Sequence, residues 1–192
     1  MKKILLSVLS VLVLVQSASA FEEKVVAVRS EKMNKDVPVT VILPDGYADI
    51  DKLPVLYLLN GWSGTHRHWP ERGNVGPLAD MYDVILVMPD TGYDSWYFDS
   101  KVTPEYQYET FVTKELIQYV DSNFKTIPDR GGRAITGLSM GGHGAMNIFL
   151  DHPERFAGAG SMSGVLDLGA TKERFPVWEI VGKSSIEDIP EC

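Results

Sequence analysis

The sequence predicts an α/β fold, with a mostly parallel β-sheet flanked by helices. Three observations predict it. Val55-Leu56-Tyr57-Leu58-Leu59 and Val84-Ile85-Leu86-Val87-Met88 are continuous apolar runs, as strands covered on both faces require. Segments with helically spaced apolar residues alternate with these runs, which is the pattern of a parallel sheet with crossover helices. Between Arg133 and Asp151 a short apolar run leads through Gly-x-Ser-x-Gly into a helical pattern, a strand–turn–helix unit.

The 192 residues carry 18 basic and 26 acidic side chains, a net charge of −8, and 44% hydrophobic residues. That balance fits one soluble globular domain with a substantial core and excludes binders of nucleic acid built on basic patches. Internal repeats and linkers are absent from the pattern. The first twenty residues stand apart. Lys2 and Lys3 precede an apolar run from Ile4 to Val15, too short to span a bilayer comfortably, and Ala18-Ser19-Ala20 supplies a small-residue cleavage site. An export signal over 1–20, removed after Ala20, is therefore expected, with a mature domain over 21–192 and no stable membrane anchor after cleavage. The single cysteine, Cys192, leaves no internal disulfide, so the domain must rely on its core.

In chain order, Val25, Val26 and Val28, then Val37, Val39, Val41 and Ile42, mark two strands. The alternation of the second favours a half-exposed, antiparallel start to the sheet. The Val55–Leu59 strand ends in the glycine-rich loop Asn60-Gly61-Trp62-Ser63-Gly64. A short helix is expected around Val75 to Met81, followed by the Val84–Met88 strand and Pro89-Asp90. Thr103-Pro104-Glu105 has the composition of a helix start. Tyr108, Phe111, Val112, Leu116, Tyr119 and Val120 then line one helical face as far as about Asn123. A further small-residue strand is expected within Phe156 to Met162.

Gly137-Leu138-Ser139-Met140-Gly141 fits the nucleophile elbow. The turn lifts the serine hydroxyl clear of the sheet, and it brings strand and helix so close that glycine is needed two residues either side of Ser139. The following helix aims its first amides and positive dipole end at the place where an oxyanion would form. Ser139 is the expected nucleophile.

Leu58-Leu59-Asn60-Gly61-Trp62, Met88-Pro89-Asp90, Glu115-Leu116-Ile117 and the stretch from Gly137 to Ala145, in this order, resemble the esterase family of α/β-hydrolases. That family includes esterase D-type S-formylglutathione hydrolases, tributyrin and feruloyl esterases, and the mycolyltransferase antigens. The resemblance runs from about Val25 to Gly164. It implies an α/β-hydrolase fold, here missing its last strands, and a serine carboxylic-ester hydrolase working through a Ser139 acyl-enzyme, without choosing the substrate; with the export signal and the aromatic loops, an exported esterase acting on a small-molecule or glycan-linked ester is expected. It implies no metal or organic cofactor. It places the oxyanion hole at the amides of Met140, directly after the nucleophile, and Trp62, directly after Asn60-Gly61. Acyl transfer to an alcohol uses the same residues. A non-catalytic, carbohydrate-binding protein on the same scaffold is the alternative from another class, because Tyr93, Trp96, Tyr97 and Phe98, with Trp62 and Trp69, give two aromatic-rich loops.

The fold's chain order is Ser, then Asp or Glu, then His, and no histidine follows in a fitting place. His66 and His68 precede Ser139 beside the oxyanion loop; their H-x-H spacing lacks further metal ligands. His143 lies one turn into the elbow helix, and His152 at its end reads as structural. Asp167 is a weak candidate acid without a histidine partner. The triad Asp and His are thus expected beyond Cys192, with the chain a C-terminally truncated domain, inactive as it stands.

Overall fold

The computed structural model describes residues 21–169, 174–175 and 177–182. The expected export signal over 1–20 and Cys192 lie outside the described residues. Strands β1 (Glu22–Ser30) and β2 (Lys35–Leu43) form an antiparallel hairpin in which Glu22 faces Leu43 and Ser30 faces Lys35. Asn34 closes its turn at φ 51°, a left-handed conformation that asparagine tolerates. Strands β3 (Val55–Leu59), β4 (Ile85–Pro89), β5 (Arg133–Leu138) and β6 (Gly158–Met162) complete a six-stranded sheet of order β1-β2-β4-β3-β5-β6. β2 runs antiparallel to β4, and the last four strands are mutually parallel. The expected antiparallel start and parallel remainder are both found.

Side-chain alternation divides the core between the two faces of the sheet. Val39, Val41, Val55, Tyr57, Leu59, Ile85, Val87 and Ile135 belong to the larger cluster. It is covered by α3 (Tyr108–Thr110), a π-helical turn (Phe111–Leu116), α4 (Ile117–Asn123) and α5 (Met140–Asp151). Ile42, Leu58, Leu86 and Met88 form the smaller cluster with Val75 and Ala79, on the side of α1 (His68–Gly73) and α2 (Gly76–Tyr82). Burial on both faces is why β3 and β4 read as unbroken apolar runs. A short α6 (Val177–Val181) is the last described helix. No helix among the described residues is long and apolar enough to cross a membrane.

One local expectation is corrected. Thr103-Pro104-Glu105 forms a turn, closed by Tyr106 N donating to Thr103 O at 2.9 Å, and does not start the helix. Gln107 first pairs with Asp99 in an isolated bridge. The helix then begins at Tyr108, with the Asp99 carboxylate accepting from the Thr110 amide at 3.0 Å. A carboxylate from a neighbouring loop thus satisfies an early helix amide. The predicted apolar face is buried as expected, but through a π-helical turn that periodicity did not announce. α1 is a helix without an apolar period, so periodicity does not predict it.

β6 pairs with β5 and, among the described residues, with no other strand; Ser161 and Met162 are exposed there. On the α1–α2 side, an apolar cleft of about 580 Å³ opens over β3 and β5, with Leu56, Leu58, Trp69, Leu78, Tyr82 and Met162 in its lining.

Candidate active site

The elbow is built by close backbone approach. Ser139 joins β5 to α5 at φ 55°, ψ −115°, a region costly for any residue with a Cβ. A Cβ on Gly137 would lie 2.3 Å from Gly141 O, and one on Gly141 would lie 2.4 Å from Leu59 O and 2.7 Å from Asn60 O. The two glycines therefore let strand, helix and the end of β3 converge under the serine. Ser139 N donates to Met162 O at 2.9 Å, and His143 N to Ser139 O at 3.0 Å. The elbow is thereby tied to β6 on one side and into α5 on the other. Ser139 itself is half-buried, while Met140 is fully buried.

The Met140 amide opens α5 and donates to no backbone carbonyl outside the helix among the described residues, as expected for a first-turn amide. Gly61 sits against the elbow: a Cβ there would lie 3.2 Å from Leu138 O and 3.6 Å from Ser139 Cβ. Trp62 follows it, and its amide likewise has no backbone acceptor among the described residues. The sequence-predicted Ser139, Met140, Trp62, Gly137 and Gly141 are thus brought to one place, at the carboxyl ends of β3 and β5.

The loop carrying Trp62 is anchored at several points. Asn60 is buried, donates through Nδ2 to Gly61 O at 3.0 Å and accepts from Thr91 Oγ1 at 2.9 Å. The hydroxyl of Tyr97 donates to Asn60 O at 2.8 Å, and the Tyr97 ring lies where a Cβ on Gly144 would be, at 2.3 Å. That ring joins the Asn60–Gly64 loop to α5. Burial raises the Tyr97 phenol well above the ordinary tyrosine range, so it acts as a neutral donor. Trp69 Nε1 donates to Leu59 O at 3.1 Å, and His66 Nδ1 pairs with Thr40 Oγ1 at 2.8 Å. The sequence places Asn60 in the glycine-rich loop and in the motif of the resemblance, without a role of its own. Its position between a strand end and a glycine was the available signal.

Three of the four histidines are hydrogen-bonded to other groups, and none pairs with Ser139. His66 is held by Thr40. His68 stands on α1, its pKa lowered by partial burial and by nearby Arg72. His152 Nε2 pairs with Glu109 Oε1 at 2.9 Å. His143 is 1% exposed, with the rings of Trp96 and Phe98 beside it and Nδ1 at 3.0 Å from Val165 O. With that carbonyl as acceptor, Nδ1 carries the proton of a neutral imidazole. Burial brings its pKa down from 6.5 to about 4, against a smaller opposing effect of the bond to Val165. Between these values the unfolded chain binds the proton and the folded one does not. Stability should therefore fall as pH drops from 6.5 to 4, by on the order of 3 kcal/mol. A His143→Asn variant should lose this acid limb, read as a smaller difference between urea midpoints at pH 7 and pH 4.5.

The aromatic loops resolve into two groups. Trp96 and Tyr97 are buried, at positive φ, and Trp69 is half-buried. Trp62 and Tyr93 are 42% and 55% exposed with ring centroids 4.6 Å apart. Ser63 N donates to Tyr93 O at 2.7 Å, joining the two loops. This pair forms an aromatic surface next to the elbow. No group of three or more metal-ligating side chains occurs among the described residues.

Comparison with known proteins agrees with this geometry. The family model described as "Putative esterase" matches residues 30–185. An esterase of Mycobacterium tuberculosis is 38% identical over 136 residues, covering 68% of this chain and 29% of its own length. An endo-1,4-beta-xylanase/feruloyl esterase of Xylanibacter ruminicola is 36% identical over 149 residues, covering 70% of this chain and 20% of its own. Among solved structures, a ferulic acid esterase superposes with a TM-score of 0.73 at 30% identity, over 90% of this chain and 73% of the other. An S-formylglutathione hydrolase from Agrobacterium tumefaciens gives 0.72 at 25% identity, over 86% and 70%. The chain thus spans less than a third of the length of those two curated relatives. Sheet order, elbow and family match together show that the chain belongs to the esterase family of α/β-hydrolases.

Proposed function

We infer that the protein is an exported serine carboxylic-ester hydrolase working through an acyl-enzyme on Ser139. The observation that carries this reading is Ser139 itself, at φ 55° between β5 and the amide end of α5. Ser139 Oγ attacks the ester carbonyl, and the carbonyl oxygen becomes an oxyanion facing the amides of Met140 and Trp62. Each such donor contributes roughly 3 kcal/mol to the transition state. Collapse breaks the bond to the alcohol, and water or a second alcohol then resolves the acyl-enzyme. Export rests on the leader over 1–20, with cleavage after Ala20.

Attack requires a base for the Oγ proton, and none of the four histidines is hydrogen-bonded to Ser139. His66 and His152 are hydrogen-bonded elsewhere, and His143 is sealed among aromatic rings. The acid and base of the complete site are proposed to come from polypeptide outside the described residues. The 192-residue chain alone then acylates slowly and deacylates more slowly still, as losing a triad base removes several powers of ten in rate.

Mixing the chain with p-nitrophenyl acetate tests this. The expected result is slow release of p-nitrophenolate up to about one equivalent, with a persistent acetyl group mapped to Ser139. A folded chain that releases product without acetylation of Ser139 refutes the reading. Competing alcohols in the same reaction separate hydrolysis from acyl transfer through the products formed.

The exposed Trp62–Tyr93 pair favours a second reading, a carbohydrate-binding protein that no longer turns over esters. Saturable glycan binding by a chain that never acylates at Ser139 is its signature.

A further inference from the structure

We propose that Asn60 is a positioning residue for the oxyanion site, acting through the Gly61–Trp62 peptide. This inference rests on the serine-esterase reading and adds the device that aims one of its two donors. In a trans peptide the N–H points opposite to the C=O, and the described chain contains no cis bond. The direction of the Trp62 amide is therefore set by whatever holds Gly61 O. Two donors hold it: Asn60 Nδ2 at 3.0 Å and Gly64 N at 2.9 Å. The carbonyl is drawn into the loop, and the Trp62 N–H is left on the opposite side, with no backbone acceptor among the described residues. Gly61 itself lies against Leu138 and Ser139, so this amide belongs to the nucleophile's surroundings.

Asn60 is itself fixed from two sides. Its Oδ1 accepts from Thr91 Oγ1 at 2.9 Å, and its backbone O accepts from Tyr97 OH at 2.8 Å. Thr91 and Tyr97 are both fully buried. The side-chain amide is 1% exposed with the rest of the residue and donates to the one carbonyl whose peptide carries the Trp62 N–H. Donation to a carbonyl also polarises its own peptide, making the N–H on the far side a stronger donor. A residue serving packing alone would not need this partner.

The test compares acylation of Ser139 by p-nitrophenyl acetate with acylation by the matching thionoacetate. Sulfur is a poor hydrogen-bond acceptor, so a hole that works by hydrogen bonding favours the oxygen ester, whereas a general loss of structure slows both. Asn60→Ala should slow the oxygen ester by about 10- to 100-fold, less than or comparable with deleting a direct donor. It should change the thionoester by less than about 3-fold, collapsing the ratio. Thr91→Val, which frees Oδ1 without removing the amide, should move the ratio in the same direction by a smaller factor. It carries the prediction alone if Asn60→Ala does not fold. An unchanged ratio in the folded variants, with wild-type acylation intact, overturns the role of Asn60 and leaves the esterase reading standing. A folded wild-type chain that acylates with neither ester overturns both.

Discussion

Gly141→Ala is expected to yield little folded protein. Its new Cβ would lie 2.4 Å from Leu59 O and 2.7 Å from Asn60 O. Both obstacles are backbone atoms at the end of a central strand, so no rotamer change relieves them. Overpacking in cores costs about 1–3 kcal/mol, occasionally more. With rigid obstacles, about 3 kcal/mol or more is expected, a large share of the 5–15 kcal/mol typical of a domain. Gly137→Ala should behave alike, since its Cβ would meet Gly141 O at 2.3 Å. Gly158→Ala in β6 is the control, because a Cβ there meets nothing within 4 Å. Soluble yield and urea midpoint read the outcome. A wild-type midpoint for Gly141→Ala would mean that α5 is not seated on β3 as described.

Ser139→Gly should stabilise the protein while abolishing its acylation. Ser139 holds φ 55° and ψ −115°, a conformation costing about 1–3 kcal/mol for a residue with a Cβ and little for glycine. The greater unfolded-state freedom of glycine offsets part of that gain, leaving about 1 kcal/mol. Ser139→Ala keeps the Cβ and the strain, so it should lose acylation without the gain. Urea midpoints of wild type, Ser139→Gly and Ser139→Ala, measured side by side, decide. A Ser139→Gly midpoint below that of Ser139→Ala would show that the elbow stores no strain at this residue.

What was legible in the sequence was what depends on neighbouring residues. The elbow could be read because its strand, its glycines and its helix all lie between Arg133 and Asp151. The sheet could be read because β3 and β4 are apolar on both faces, and the hairpin because β2 alternates. Signals shared by two structures misled. Thr103-Pro104-Glu105 suits a helix start and equally suits the turn that it forms. His68-Trp69-Pro70-Glu71-Arg72-Gly73 carries no apolar period, so α1 left no trace. Roles set by distant partners were not legible at all. Asn60 meets Thr91 and Tyr97 across 31 and 37 residues, and His152 meets Glu109 across 43. Composition likewise grouped Trp62, Tyr93, Trp96 and Tyr97 as loop aromatics, although two are buried and two face solvent.

On the proposed function, Ser139 is a nucleophile beside a preformed oxyanion site, and its base is none of the four histidines. The direct measurement is a fluorophosphonate reaction on the purified, folded 192-residue chain, mapped by peptide mass spectrometry with and without added imidazole. The expected adduct on Ser139 forms slowly, forms faster when imidazole supplies a base, and is absent from Ser139→Ala. A folded chain that takes no adduct at Ser139 even with imidazole, or whose labelling persists unchanged in Ser139→Ala, would contradict it.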